Sequence, residues 1–135
     1  MTTEPAFIDL LRAIATHPAA RGFDDDAAVL DVGQQRLVLT KDMLSEGVHF
    51  LPDDPPEDVA WKLVAVNVSD LAAKGALPLA CLLGYSLTGD ADWDAGFVRG
   101  LGQACNHYSI ALIGGDTVSA AAGTARTLSL TAIGT

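Results

Sequence analysis

The sequence is short of positive charge. Eight lysines and arginines stand against 17 acids, a formal net charge of −9, and that balance sets up a potential that repels phosphate backbones and anionic lipid surfaces. Nucleic acid and membrane surfaces are therefore poor partners, and any chemistry on phosphates requires divalent cations to bridge acid and substrate. Cysteine is scarce as well. Cys81 lies in an apolar run and Cys105 in a helical one, with no CxxC spacing, so both read as small buried hydrophobes in a reducing cytoplasm. Long apolar stretches are missing: the longest, at residues 77–83, is too short to span a bilayer. The first residues carry Glu4 and Asp9 and no basic leader, against a signal peptide.

The usual nucleotide and hydrolase signatures are absent too. Gly100 and Gly102 begin a GxGxxG pattern, but Cys105 stands where the third glycine belongs and the segment is helical in pattern. Lys74-Gly75 reverses the order of a P-loop. There is no GxSxG, and His17, His49 and His107 lack metal-ligand spacing.

What is present is a surplus of apolar residues. At 135 residues the chain makes one domain able to bury about two thirds of its surface, yet half its residues are hydrophobic and its mean hydropathy is +0.30. That exceeds what a small monomer hides, and it predicts an apolar face against another subunit or domain. No repeat or low-complexity linker divides the chain.

Thr2 or Thr3, followed by Glu4 and Pro5, starts a helix whose apolar positions Phe7, Leu10, Leu11 and Ile14 run on to Pro18. Runs 28–32 and 37–44 read as strands joined at residues 33–36 in a hairpin. A second helix follows Asp53-Asp54-Pro55-Pro56-Glu57, with Asp54 as cap, and stops at Gly75 after Ala73. A strand at 78–87, a helix at 92–107 and strands at 110–113 and 126–133 complete the order. This β-β-α-β-α-β-β sequence predicts an α+β fold, a mixed sheet with helices on one face and the other free.

The informative residues are acids where folding alone would not place them. Asp70 falls in a helix apolar on nearly every side, where a carboxylate is costly unless paired or bound to a cation. The competing reading is a solvated stripe of Asn67, Asp70 and Lys74 with a weak Asp70–Lys74 ion pair. Asp42 ends a β run, a position from which ligands project in α/β scaffolds but where a plain surface acid also fits. Asp24, Asp25 and Asp26 precede a strand and are explained equally by a turn. Asp116 follows Gly114-Gly115, which either lets a phosphate approach the backbone or makes a tight turn.

In order and spacing, four segments resemble the N-terminal domain of thiamine-monophosphate kinases, within the superfamily of aminoimidazole-ribonucleotide synthetase and selenophosphate synthetase. They are residues 25–30 (DDAAVL), 42–50 (DMLSEGVHF), 67–75 (NVSDLAAKG) and 114–117 (GGDT). The resemblance implies ATP as co-substrate and several magnesium ions held by Asp26, Thr40, Asp42, Asp70 and Asp116, with Asp25 a further candidate. It implies Tyr108, Gly115 and Asp116 as ATP contacts and His49 as the contact to thiamine monophosphate. The implied reaction moves the γ-phosphoryl of ATP to thiamine monophosphate, giving thiamine diphosphate and ADP, in a homodimer joined through the open sheet face. Asp24 stands where the family usually has glycine, and Lys41 where it commonly has threonine. The family's ATP-contacting arginine and acidic C-terminal domain lie beyond the segments matched, so this chain is expected to be the N-terminal part and incomplete alone. The alternatives are a non-catalytic metal-binding or dimerisation module of the same fold, and another ATP-dependent member such as aminoimidazole-ribonucleotide synthetase.

Overall fold

In the computed structural model, which describes residues 1–135, helix α1 (Glu4–Arg12) starts where Thr3 accepts a hydrogen bond from the Ala6 amide through its side chain at 3.4 Å. It stops well before Pro18. Phe7, Leu10 and Ile14 stay exposed and no α1 residue is buried, so no tertiary contact prolongs the helix; short helices depend on such packing. Arg12 instead turns its guanidinium to Asp9 at 2.6 Å and to the Gly22 carbonyl at 2.9 Å. That carbonyl belongs to a 3₁₀ segment (Pro18–Phe23) that sequence patterning does not reveal.

Strands β1 (Ala28–Val32) and β2 (Gln35–Ser45) form the expected hairpin, but its loop shrinks to Gly33-Gln34, since Val32 pairs with Gln35. Gly33 takes φ 61° at the first loop position, as two-residue hairpins with glycine there require. Helix α2 (Pro56–Ala73) follows, then β3 (Pro78–Leu87), helix α3 (Ala91–His107), β4 (Ala111–Ser119) and β5 (Thr127–Gly134). The α2 cap is not the expected one: Pro55 occupies the position, and the Asp54 carboxylate accepts from the Leu51 amide at 2.8 Å.

The sheet order is β1-β2-β5-β3-β4. The last strand is thus inserted antiparallel between β2 and β3, and only β3 and β4, bracketing α3, run parallel. Alternation along β5 divides the two faces. Leu128, Leu130 and Ala132 are fully buried towards the helices, while Thr127, Ser129 and Thr131 look the other way. Helix α2 lies over β2 and β5, and α3 packs against α2. A Cβ on Gly100 would come within 2.5 Å of the Glu57 backbone, so Gly100 serves helix packing, and the Gly100-Leu101-Gly102 run lies inside α3 and not in a phosphate loop.

Full burial of Leu63, Leu71, Leu128 and Leu130 contributes about 1.5–3 kcal/mol each. An aromatic row extends this core towards the β2 exit: Tyr85, Phe97, Trp93 and Phe50 follow one another at centroid distances of 5.1, 5.7 and 6.1 Å. Cys81 is buried and Cys105 half-buried, both free, and burial pushes the Cys81 thiol up to about 12. The sheet face away from the helices carries no covering element, and β4 is exposed along its whole length. The apolar surplus of the sequence lies there and on α1.

Candidate functional site

β2 and α2 build the site between them. Pairing of Thr40 with Ala132 and of Asp42 with Leu130 puts both side chains on the helix side of the sheet. There Asn67, fully buried, accepts from the Asp42 amide at 3.1 Å and donates to the Leu63 carbonyl at 2.9 Å. That clip fixes α2 against β2 one turn before Asp70. The Thr40 hydroxyl lies 3.0 Å from the Asp26 carbonyl and 3.3 Å from Asp70 Oδ2, so its single proton is shared between two acceptors. Burial first, then the charges of Asp42 and Asp26, raise the Asp70 carboxyl above the usual carboxylate range, and Asp42 lies within hydrogen-bonding reach of it.

The solvated-stripe reading of this helix face is overturned. Asn67 is buried, and Lys74 pairs with Asp25 at 2.5 Å, not with Asp70. Asp25 also meets Arg21, and hydrogen bonds from Lys74 and then Arg21 hold its carboxyl below its ordinary value. Asp24 faces Arg12 at 3.5 Å in the open. Of the three adjacent acids, only Asp26 adds its charge to Asp70.

The residues do not converge like a structural metal site: no three carboxylate, imidazole or thiol groups close on one point. Two carboxylates and a hydroxyl, with Asp26 beside them, fit magnesium, which keeps several waters and takes its remaining oxygens from bound phosphates. Thiolates are absent from the group, which suits a hard cation.

Asp116 stands elsewhere. It pairs with Gly84, and Gly84 pairs with Ser129, so its side chain is on the open sheet face, opposite Asp42 and Asp70. Gly114 and Gly115 form no turn: β4 continues through them to Ser119, with the register shifting beside Cys81 and Leu82. Gly115 sits at φ 152°, and a Cβ there would lie 1.8 Å from the Leu83 carbonyl oxygen, so the crossing admits only glycine. Tyr108 caps α3 and packs on Trp61 and His107. About 17 Å of strand separate the start of β4 from Asp116, so one chain does not gather Tyr108 and Asp116 at one point.

His49 lies in the loop after β2, about 10 Å of strand beyond Asp42. Its Nδ1 accepts from the Ser45 amide at 2.9 Å, which leaves Nε2 to carry the proton of a neutral ring. Lys62 donates to the His49 carbonyl, and both line a cavity of about 250 Å³ with Asp54 and Asp58.

Arg126 fastens this loop, and sequence reasoning gave no hint of it beyond a lone base at the start of a strand. Its side chain is 13 % exposed, bonds Glu46 at 2.6 Å and Asp90 at 3.1 Å, and stacks over Trp93 at 4.3 Å. Its carbonyl accepts from the Glu46 amide. Losing a charge-assisted bond costs about 1.5–3 kcal/mol, so Arg126→Met should speed amide exchange at Gly47, Val48 and His49 by about tenfold or more. Unchanged exchange rates at those amides would show that Arg126 does not hold the loop.

Residues 24–135 match the family described as AIR synthase related protein, N-terminal domain. Among curated relatives, the Escherichia coli K12 thiamine-monophosphate kinase is 45 % identical over 98 residues, covering 71 % of this chain and 30 % of its own length. The Synechococcus elongatus thiamine-monophosphate kinase is 36 % identical over 134 residues, covering 97 % and 39 %. The solved structure of AaThiL complexed with AMPPCP and TMP superposes with a TM-score of 0.87 at 32 % identity, over 97 % of this chain and 41 % of that one. The chain thus spans between about a third and two fifths of the relatives it matches. By its sequence match and by its sheet, this chain belongs to the AIR synthase related protein N-terminal domain family.

Proposed function

We propose that residues 1–135 form the nucleotide- and magnesium-binding domain of a thiamine-monophosphate kinase, which transfers the γ-phosphoryl of ATP to thiamine monophosphate and releases thiamine diphosphate and ADP. The observation that carries this reading is the meeting of Asp70 with Asp42 and the Thr40 hydroxyl, where burial and then the neighbouring Asp42 and Asp26 charges raise the Asp70 carboxyl above its ordinary range and no basic side chain pairs with it. Magnesium, when bound, supplies positive charge between two polyanions and holds their phosphates in line.

The chain's own residues do the positioning. Asp70, Asp42 and the Thr40 hydroxyl, with Asp26 beside them, present oxygens to the cations, and Asn67 sets the spacing between helix and strand. His49 offers Nε2–H as a donor to the acceptor phosphate, its ring fixed from behind by the Ser45 amide. No strong general base is required, since an acceptor phosphate is already ionised near neutral pH. Gly115, Asp116 and Tyr108 are the proposed nucleotide contacts. Their separation within one chain favours a homodimer through the open sheet face, where a second copy brings its own strands alongside. Two free thiols suit a cytoplasmic protein.

Millimolar magnesium with ATP should raise the melting temperature of the chain; saturation at about 100 times the dissociation constant is worth about 2.7 kcal/mol. An unchanged melting curve overturns the metal assignment. For the reaction itself, ADP release should depend on thiamine monophosphate and vanish with Asp70→Asn in the complete protein. Loss of ADP release with dimerisation intact in Asp70→Asn supports the kinase; ADP release that survives Asp70→Asn would remove Asp70 from the reaction, and a complete parent protein that dimerises but releases no ADP would favour a non-catalytic module.

A further inference from the structure

Six of the eight lysines and arginines are committed to ion pairs, and Lys62 is one of the two that are not. On α2 it stands four residues after Asp58, the spacing at which a helical ion pair forms. It makes no such pair, and its ammonium donates instead to the His49 carbonyl, 13 residues back along the chain. The other bonds of His49 stay inside its own loop. Its amide donates to the Ser45 carbonyl at 2.9 Å, and its ring Nδ1 accepts from the Ser45 amide at 2.9 Å. Those two bonds shape the loop without placing it in the molecule. Its flanks are held from outside: Arg126 pairs with Glu46 on one side, and buried Phe50 stacks on Trp93 on the other. Between those flanks, the bond from Lys62 is the polar link from His49 to another element.

We propose that Lys62 is a positioning residue for the phosphate acceptor: by holding the His49 carbonyl to α2, it sets the distance from the His49 ring to the carboxylates at Asp42 and Asp70. The same helix carries Asn67, which accepts from the Asp42 amide, and Asp70 itself. Lys62 precedes Asp70 by eight residues, about 12 Å of helix at roughly 1.5 Å per residue. A hydrogen-bonded helix holds that length, so one rigid element spaces the imidazole from the acids. A lysine suits the task, since its flexible stem carries a compact donor well away from the helix axis. Lys62 and His49 line the same cavity of about 250 Å³, so the tie lies beside the imidazole and not at a remote hinge. Position matters here, because a misplacement of about 1 Å is enough to slow a transfer by about a hundredfold. The inference rests on the reading of His49 as the contact to thiamine monophosphate, and it adds the residue that keeps this contact in register with the metal side.

The test uses Lys62→Met, which keeps the apolar stem and removes the donor, and Lys62→Arg, which keeps a donor. In the complete protein Lys62→Met should raise the KM for thiamine monophosphate about tenfold, as loss of a charge-assisted bond does, and leave the KM for ATP at the parent value. Lys62→Arg should recover most of that loss. The carbon-13 resonance of the His49 carbonyl reads the bond without turnover: it should move upfield in Lys62→Met and stay near the parent position in Lys62→Arg. An unmoved carbonyl resonance overturns the proposal. So does a moved resonance with an unchanged KM for thiamine monophosphate, or an equal loss towards ATP, which marks a general structural role. If the complete parent releases no ADP with thiamine monophosphate, the kinase reading fails by itself, and the carbonyl resonance still decides whether Lys62 holds His49. Lys62 is exposed, so both variants fold, and a melting curve for each confirms it.

Discussion

Asp70→Asn will stabilise the metal-free chain and destabilise it, relative to the parent, once magnesium is added. In chelator the parent carries an ionised Asp70 against Asp42 and near Asp26. Two unit charges about 5 Å apart repel by roughly 3 kcal/mol at an effective dielectric of 20, and screening brings this to about 1–2 kcal/mol, several degrees in melting temperature for a chain of this size. Asparagine removes that repulsion and keeps an oxygen for Thr40. In magnesium the parent gains the binding free energy and the variant does not, so the two melting temperatures exchange order. The pH dependence has a defined sign. The folded carboxyl titrates above its unfolded value, so its proton stabilises the fold fully below about pH 4, and that contribution is lost as pH rises through the folded value. The metal-free parent should therefore lose stability relative to Asp70→Asn between acid and neutral pH. Parallel curves across that range, or a variant that still gains stability from magnesium, would remove Asp70 from the metal site.

Phe97→Ala will cost about 3–5 kcal/mol, the usual range for a large aromatic cut out of a sealed core. Phe97 is fully buried between Tyr85 and Trp93, and Trp93 stacks on Phe50 at the base of the His49 loop. A typical domain has 5–15 kcal/mol in all, so the melting temperature should fall by roughly 10–20 °C. The His49 loop should loosen with it, since Phe50 loses the support behind its own stacking partner. Chemical denaturation checks the first effect and amide exchange at residues 47–50 the second. A loss below about 1 kcal/mol would mean that the surrounding rings close over the gap.

These two effects also mark what the sequence makes legible. The odd carboxylate of α2 is visible from its apolar neighbours alone, and so is the order of elements, because both are local patterns; Asp42, expected at a strand end, lies inside β2, whose pairing with β5 carries on to Ser45. The partners are not local. Lys74 is four residues from Asp70, the spacing of a helical ion pair, yet it reaches Asp25, because the turn before β1 folds onto the end of α2. Asn67 looks like a surface residue until β2 delivers the Asp42 amide to it. The side of the sheet on which Asp116 falls depends on which strands neighbour it and on the register shift beside Leu82, and neither has a sequence period. Gly114-Gly115 has the composition of a turn, but here it lets β4 cross the Leu83 carbonyl. The early end of α1 has the same kind of cause, since its apolar stripe promises a longer helix only if something covers it.

The insertion of β5 between β2 and β3 governs the order in which the molecule can be made. β2 and β3 share no hydrogen bonds of their own, so a chain emerging from the ribosome holds at most two separate ladders, β1 with β2 and β3 with β4, until residues 127–134 are released. The acids of β2 and α2 must wait through that interval without the strand that backs them. Such distant pairings place the rate-limiting step of folding at loop closure over some eighty residues or more. Refolding of this chain should be slow for its size, and slowest where carboxylate repulsion is unrelieved.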